Sequence, residues 1–370
     1  MKHNESADFL CHFSKCHLKL IHMPDQLFIR DNLSTMSIDR QRLAELAATS
    51  HTSGGRFHNL EPVPSHGLGD FLRWQLSPGR RFPKGKQYHL LRPDAHLLSH
   101  PPVDAQLTWL GHSSFLFQYR GLNILTDPVL SDRASPFRFL GPKRYTPAAL
   151  KVQDLPTVHR VLISHNHYDH LDEYTVRQLH RRFGDDLQFC IPMGLRRWFE
   201  RRGIHNLVEL GWWQSHKLGD GDEAFCLPAQ HFSGRTATDG NTTLWCSWLL
   251  QIDGYRFYFA GDTGYGQLFS QIGELFAPIH LALLPIGAYD PRWFMAPVHV
   301  APEEAVHIHR DLGARQSVAM HWGTFVLTDE PMDEPPRRLR KALDEQGVDE
   351  NCFRVMQHGE TLVFPANYGD

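Results

Sequence analysis

The chain has 370 residues, of which 41% are hydrophobic and 21% charged, with 9 Trp and 23 Phe. That length exceeds what one core usually fills, and the composition excludes a mainly disordered chain. A net charge of −3 argues against a general electrostatic grip on nucleic acid, and no apolar run approaches the roughly 18 residues of a transmembrane helix.

Residues 1–50 are weakly patterned and are expected to form a loosely structured extension. They lack a continuous apolar stretch and a small-residue cleavage site, so they make a poor signal peptide, and Met36 is an alternative start. A short helix is predicted over residues 37–48, where Ile38, Leu43, Leu46 and Ala47 share a face. Residues 51–103 are rich in Gly, Pro, His and Arg and read as a surface-hugging arm that leads into a domain over 104–365.

From about Gln106 strand-like runs appear, and each is followed by a polar residue or a glycine. LTWL leads to His112, NILT to Asp127, RVLIS to His165, AFCLPAQ to His231, RFYFA to Asp262, HLALLPI to Gly287 and SVAM to His321. Helical stretches are predicted over 172–183, 194–202, 266–276, 302–312 and 336–346. Strands alternating with helices predict an α/β architecture, and open α/β folds place their sites at the C-terminal ends of strands. The six cysteines are scattered, so they read as buried or free thiols of a reducing compartment and not as a disulfide frame. A cytoplasmic location, at most peripheral to a membrane, follows as the expectation.

The sequence holds 25 histidines, and SHNHYDHLD puts His165, His167, Asp169 and His170 in one short segment. Imidazole and carboxylate are standard ligands for zinc and for iron-type ions. One ion cannot take all four side chains without strain, whereas two ions can share them. His231, Asp262 and His321 each follow a strand-like run. Singly, each is better read as an ordinary polar residue. Together with the first four they make up a full dinuclear set, with Asp262 as the natural bridge. Two such ions lower the pKa of a shared water to near neutral and neutralise charge on a phosphoryl oxygen, which suits phosphodiester, ester, lactone or amide hydrolysis.

The order H-x-H-x-D-H, then a distant His, Asp and His, resembles that of the metallo-β-lactamase superfamily. Within it, WLGHSSFLF, ILTDPVLSDRASPFRFLGPKRYTP, VLISHNHYDHLD, FYFAGDTGYG, LLPIGAYDPRWFM, HVAPEEAVHIHRDLGARQSVAMHWGTF and HGET resemble the N-acylphosphatidylethanolamine-hydrolysing phospholipase D family over about residues 104–365. The resemblance implies an αβ/βα four-layer sandwich with an N-terminal extension. It implies one ion on His165, His167 and His231, a second on Asp169, His170 and His321, and Asp262 between them. Zinc is the metal implied, with iron and manganese not excluded by ligand type. The activity implied is attack of a metal-bound hydroxide on the distal phosphodiester of N-acylphosphatidylethanolamine, giving N-acylethanolamine and phosphatidic acid. A homodimer is the implied assembly. A small-molecule esterase or lactonase, a nuclease and a metal-binding protein without turnover are the competing readings, and the acidic balance counts against the nuclease.

Around the ligands, Asp169 is expected to orient the attacking water as well as bind metal. Asp127 reads either as hydrogen-bond support for a ligand histidine or as a turn residue before Pro128. His112 is a further candidate support. His299 reads either as a substrate-phosphate contact or as a loop residue before a helix. For a phospholipid substrate at a membrane surface, Trp293, Phe294 and Met295 are expected to insert, and Lys143 and Arg144, with Arg133 and Arg138, to meet headgroups. Trp212 and Trp213 are either acyl-chain contacts or core.

Overall fold

In the computed structural model, which describes residues 38–49, 51–64, 66–77, 83–219 and 221–365, the chain enters through helix α1 (Arg40–Ala47). Asp39 caps that helix by accepting from the Arg42 amide. The expected loose extension lies outside the described residues as far as residue 37. A small hairpin follows, of β1 (Thr52–Ser53) and β2 (Arg56–Phe57), and then helices α2 (Leu68–Gln75) and α3 (Ala95–Ser99).

The strand-like runs pair into two seven-stranded sheets. The first is built from β3 (Ala105–Gly111), β4 (Ser114–Tyr119), β5 (Leu122–Thr126), β6 (Arg160–Leu162), β7 (Gln188–Pro192) and β8 (Leu207–Leu210). Helix α4 (Glu173–Phe183) lies between β6 and β7 in the chain, and α5 (Arg196–Glu200) between β7 and β8. The second sheet takes β9 (Ser215–Lys217), β10 (Glu223–Leu227), β11 (Ser247–Ile252), β12 (Tyr255–Phe259), β13 (Ile279–Pro285), β14 (Ala314–Met320) and β15 (Phe353–Arg354). Its helices are α6 (Leu268–Phe276), α7 (Arg292–Met295), α8 (Pro302–Asp311) and α9 (Glu334–Glu345). The last strand, β16 (Thr361–Phe364), returns to the first sheet and pairs antiparallel with β3.

Each sheet begins antiparallel and ends parallel. In the first, β3 to β5 are antiparallel neighbours and β5 to β8 parallel ones. In the second, β9 to β12 are antiparallel and β12 to β15 parallel. Neighbouring letters of one strand serve different cores, as a two-residue period requires. Trp109, Phe115 and Phe117 face the core between the sheets, where Phe117 stacks on Phe257 with ring centroids 4.2 Å apart. Leu110, Leu116 and Leu125 face outward onto a second core that includes Val176 and Leu179 of α4. Burial on both faces explains why these strands read as nearly continuous apolar runs. With α6, α8 and α9 covering the second sheet, the layers are helix, sheet, sheet, helix.

Several sequence expectations are corrected by packing. Trp212 and Trp213 are buried core residues. Met295 is buried, and the Phe294 ring packs on His66 and Trp74, so of that trio Trp293 alone is well exposed. Arg144 is buried beneath its own loop, where Nε donates to the Ser131 carbonyl at 3.1 Å and Nη2 to the Val129 carbonyl. It cannot reach a headgroup plane from there. Cys190, Cys226 and Cys246 are buried free thiols, whereas Cys352 is disulfide-bonded.

Candidate metal centre

Parallel strands of both sheets end at one edge, and the polar residues that follow them converge there. The loop after β6 carries His165, His167, Asp169 and His170. His231 follows β10, Asp262 follows β12 and His321 follows β14. Three of the residues at this edge turn the backbone through the left-handed region, His112 at φ +57°, Asp127 at +30° and His321 at +61°. Non-glycine residues adopt that conformation uncommonly, and it lets a chain leaving a strand turn sharply at the edge.

Two groups of ligand-type atoms form. In the first, His167 Nδ1 lies 2.8 Å from His165 Nε2 and 3.2 Å from His231 Nε2. In the second, Asp169 Oδ2 lies 3.5 Å from both His170 Nε2 and His321 Nε2. Asp262 Oδ2 sits between the groups, 3.0 Å from His170 Nε2, 3.1 Å from His321 Nε2 and 3.9 Å from His231 Nε2. All seven predicted ligand positions are therefore brought together.

Neighbours hold several of the rings. His231 Nδ1 lies 2.9 Å from the Val298 carbonyl, which makes Nδ1 the donor and leaves Nε2 free to ligate. Asp127 Oδ2 lies 2.6 Å from His170 Nδ1. The same carboxylate accepts from the Ser164 amide at 2.7 Å and from its hydroxyl at 2.5 Å, while Ser164 Oγ is 2.9 Å from His165 Nδ1. His112 Nε2 is 3.1 Å from Asp169 Oδ2. His299 Nδ1 is buried without a hydrogen-bond partner, 4.0 Å from Asp262 Oδ2. At the rim, the exposed Phe232 ring meets His167 edge-on at 4.5 Å.

The electrostatics divide the histidines. Burial, reinforced by neighbouring imidazoles, pushes His165 well below its ordinary range and His167 down to about 3. Burial likewise lowers His231 to about 4, with Asp262 opposing it. These three rings are neutral, the form that ligates a metal. For His170 and His321 burial is outweighed by Asp262 and Asp169, which raise His170 well above the usual value and His321 to about 9. The negative potential that raises them also favours a metal cation. His170 Nε2, His321 Nε2 and Asp262 Oδ1 are buried without hydrogen-bond partners, and orphaned polar atoms of this kind are costly unless an ion or water takes them up. The donor set and its unpaired atoms fit metal ions.

Sequence reasoning missed Ser164, the Val298 carbonyl and Asn59, whose side chain holds the backbone of His231. Ser164 was detectable as the polar residue beside His165 at a strand end. The other two had no local signal.

Residues 122–322 match the family model of the Beta-lactamase superfamily domain. The chain is 40% identical over 264 residues to N-acyl-phosphatidylethanolamine-hydrolyzing phospholipase D 1 of Caenorhabditis elegans, covering 68% of this chain and 74% of the relative. It is 39% identical over 263 residues to the mitochondrial N-acyl-phosphatidylethanolamine-hydrolyzing phospholipase D of Saccharomyces cerevisiae, covering 70% of this chain and 55% of that one. Among solved structures it resembles Igni18, a metallo hydrolase of Ignicoccus hospitalis, with a TM-score of 0.55 at 24% identity over 71% of this chain and 99% of the other. The last likeness bears on the fold alone.

Proposed function

Since the chain belongs to the N-acylphosphatidylethanolamine-hydrolysing phospholipase D-like family of the metallo-β-lactamase superfamily, and is a metal-dependent hydrolase, we propose that it is a dinuclear phosphodiesterase of the phospholipase D type. Its proposed substrate is N-acylphosphatidylethanolamine and its products are N-acylethanolamine and phosphatidic acid. The observation that carries the reading is the convergence of seven histidine and aspartate side chains at one edge, with Asp262 Oδ2 lying between the two groups they form. The substrate is supported by what the worm and yeast relatives are named for.

In this reading His165, His167 and His231 would hold one ion, and Asp169, His170 and His321 the other, with Asp262 available to both. When bound, zinc ions supply a water of lowered pKa and neutralise phosphoryl charge. Asp169, steadied by His112, orients the attacking water. His299, whose Nδ1 has no hydrogen-bond partner, faces the substrate phosphate. The phosphorus–oxygen bond to the ethanolamine arm breaks as the bond to the water oxygen forms. One water proton passes to the departing alkoxide.

A phospholipid leaves its bilayer at great cost, since each buried CH₂ is worth about 0.8 kcal/mol, so the protein is proposed to meet the membrane surface. No helix among the described residues is long and apolar enough to cross it. The contact is assigned to the loop tip formed by Phe137, Phe139 and Leu140, which are exposed at 52%, 80% and 61%, with Arg138 and Lys143 exposed beside them.

The test incubates the metal-loaded protein with vesicles containing N-acylphosphatidylethanolamine, and separately with a lactone and ester panel, following products by mass spectrometry. N-acylethanolamine and phosphatidic acid should appear in equal amounts. Turnover of lactones or esters with no release of N-acylethanolamine would replace this reading with a small-molecule hydrolase.

A further inference from the structure

The arm that precedes the two sheets lies outside residues 122–322, which match the superfamily model, yet it reaches the metal centre. Its contact is Asn59. The Asn59 side-chain amide donates from Nδ2 to the His231 carbonyl at 2.9 Å, and its Oδ1 accepts from the His231 amide at 3.1 Å. One side chain thus grips both main-chain groups of a single residue, as a neighbouring β-strand would. Oδ1 also accepts from Trp245 Nε1 at 2.9 Å, and Trp245 is buried in the core between the sheets. The amide is therefore fixed from a second direction.

The residues on either side of Asn59 are tied down as well. Arg56 donates to the carbonyls of Gly240 and Thr238, and the Phe57 amide donates to the Asn241 carbonyl at 2.8 Å. Glu61 accepts from the Gln267 amide at 2.6 Å. A Cβ at Gly266 would come within 2.8 Å of Glu61 Oε1, so the fit there is close. Residues 56–61 form a strap over the loop that begins at His231 and the loop that follows Asp262. His231 is held at two places: its ring Nδ1 meets the Val298 carbonyl, and its main chain meets Asn59.

We infer that Asn59 is a positioning residue for His231 in the three-histidine half of the centre. The inference rests on the reading of His231 as a ligand. Removing Asn59 leaves a buried amide and carbonyl unpaired and frees the His231 backbone to turn, so that Nε2 no longer sits 3.2 Å from His167 Nδ1.

The test compares full-length wild type, Asn59→Ala, Asn59→Asp, Arg56→Ala and His231→Ala. It measures zinc affinity by chelator competition, the visible spectrum of the cobalt-loaded protein and the melting temperature of each. Asn59→Ala should weaken one of two zinc sites by about 10–100-fold and alter the cobalt spectrum. Asn59→Asp keeps the acceptor for the His231 amide and for Trp245 while losing the donor, and should fall between wild type and Asn59→Ala. Arg56→Ala, which loosens the strap without touching His231, should keep both affinities. If His231→Ala loses a site while Asn59→Ala and Asn59→Asp keep wild-type affinity and spectrum, the inference is overturned and the ligand reading stands. If His231→Ala itself loses no metal, the ligand reading has failed, and the inference with it. Should Asn59→Ala not fold, Asn59→Asp decides alone: wild-type affinity there overturns the inference.

Discussion

Asp127 sits at φ +30° just past β5, where its backbone makes the turn into Pro128 and its carboxylate points back at the centre. The two readings written for it from the sequence do not exclude each other. Oδ1 and Oδ2 together accept from the Ser164 amide, the Ser164 hydroxyl and His170 Nδ1, so both oxygens of a fully buried carboxylate are paired. Burial raises its pKa, and the His170 and Ser164 contacts oppose that rise. With Nδ1 engaged, His170 presents Nε2 to Asp262 and Asp169. Asp127→Ala should therefore lower metal affinity by about 10–100-fold, and the unpaired Ser164 amide and His170 ring should cost about 1–3 kcal/mol each in stability. Chelator competition and denaturant titration measure the two effects separately. An unchanged metal affinity would leave Asp127 as a turn residue only.

At the scale of one element, the loop between β5 and β6 explains why some basic residues are available and others are not. Its limbs are pinned together: the Arg144 amide donates to the Asp132 carbonyl at 2.8 Å, and Arg133 Nη1 donates to the Gly141 carbonyl at 2.6 Å. The Ser131 amide meets the Asp172 carboxylate at 3.3 Å, beside the start of α4. Arg144 fills the space beneath, and burial pushes its guanidinium down to about 10. With the base fixed, the tip carries Phe137, Phe139 and Leu140 outward, and the Arg138 guanidinium lies 5.1 Å from the centre of the Tyr174 ring on α4. Burying one Phe is worth ~1.5 kcal/mol or more, or about tenfold in affinity. The paired change Phe137→Ser with Phe139→Ser should weaken sedimentation with anionic liposomes by at least about tenfold. It should slow hydrolysis of lipid in vesicles while sparing a soluble phosphodiester. Equal loss on both substrates would place the damage at the site, and no loss of liposome binding would remove the loop from the membrane contact.

For the molecule as a whole, the centre joins the two sheets. The first sheet supplies Asp127 and the loop from His165 to His170, and the second supplies His231, Asp262 and His321. Ions held across that seam would bind the folded chain more tightly than the unfolded one. Metal at about a thousand times its dissociation constant should then add ~4 kcal/mol to stability. Protein purified without chelator should carry close to two ions per chain by elemental analysis, and chelation should lower its melting temperature in a calorimetric scan. One ion or fewer in fully folded protein would count against the dinuclear arrangement.

The sequence by itself determined the cluster of ligand-type groups in the loop from His165 to His170, because those four side chains lie within one short segment. It also determined the sheet-and-helix order, because apolar runs of strand length alternate with helical stretches. His231, Asp262 and His321 were legible through a weaker regularity, a polar residue after each strand-like run, which works because parallel strands end at a common edge. Only the tertiary structure decided which basic and aromatic residues face solvent. Arg144 and Lys143 are neighbours in the chain, yet one is buried and the other exposed. Met295 and Trp293 divide the same way. Exposure is set by what a distant segment lays over a residue, as loop limbs cover Arg144 and the arm's His66 and Trp74 cover Phe294. Asn59 lay beyond local reading for the same reason: its partner His231 is 172 residues away, and an asparagine in an unpatterned arm carries no mark of the backbone it will meet.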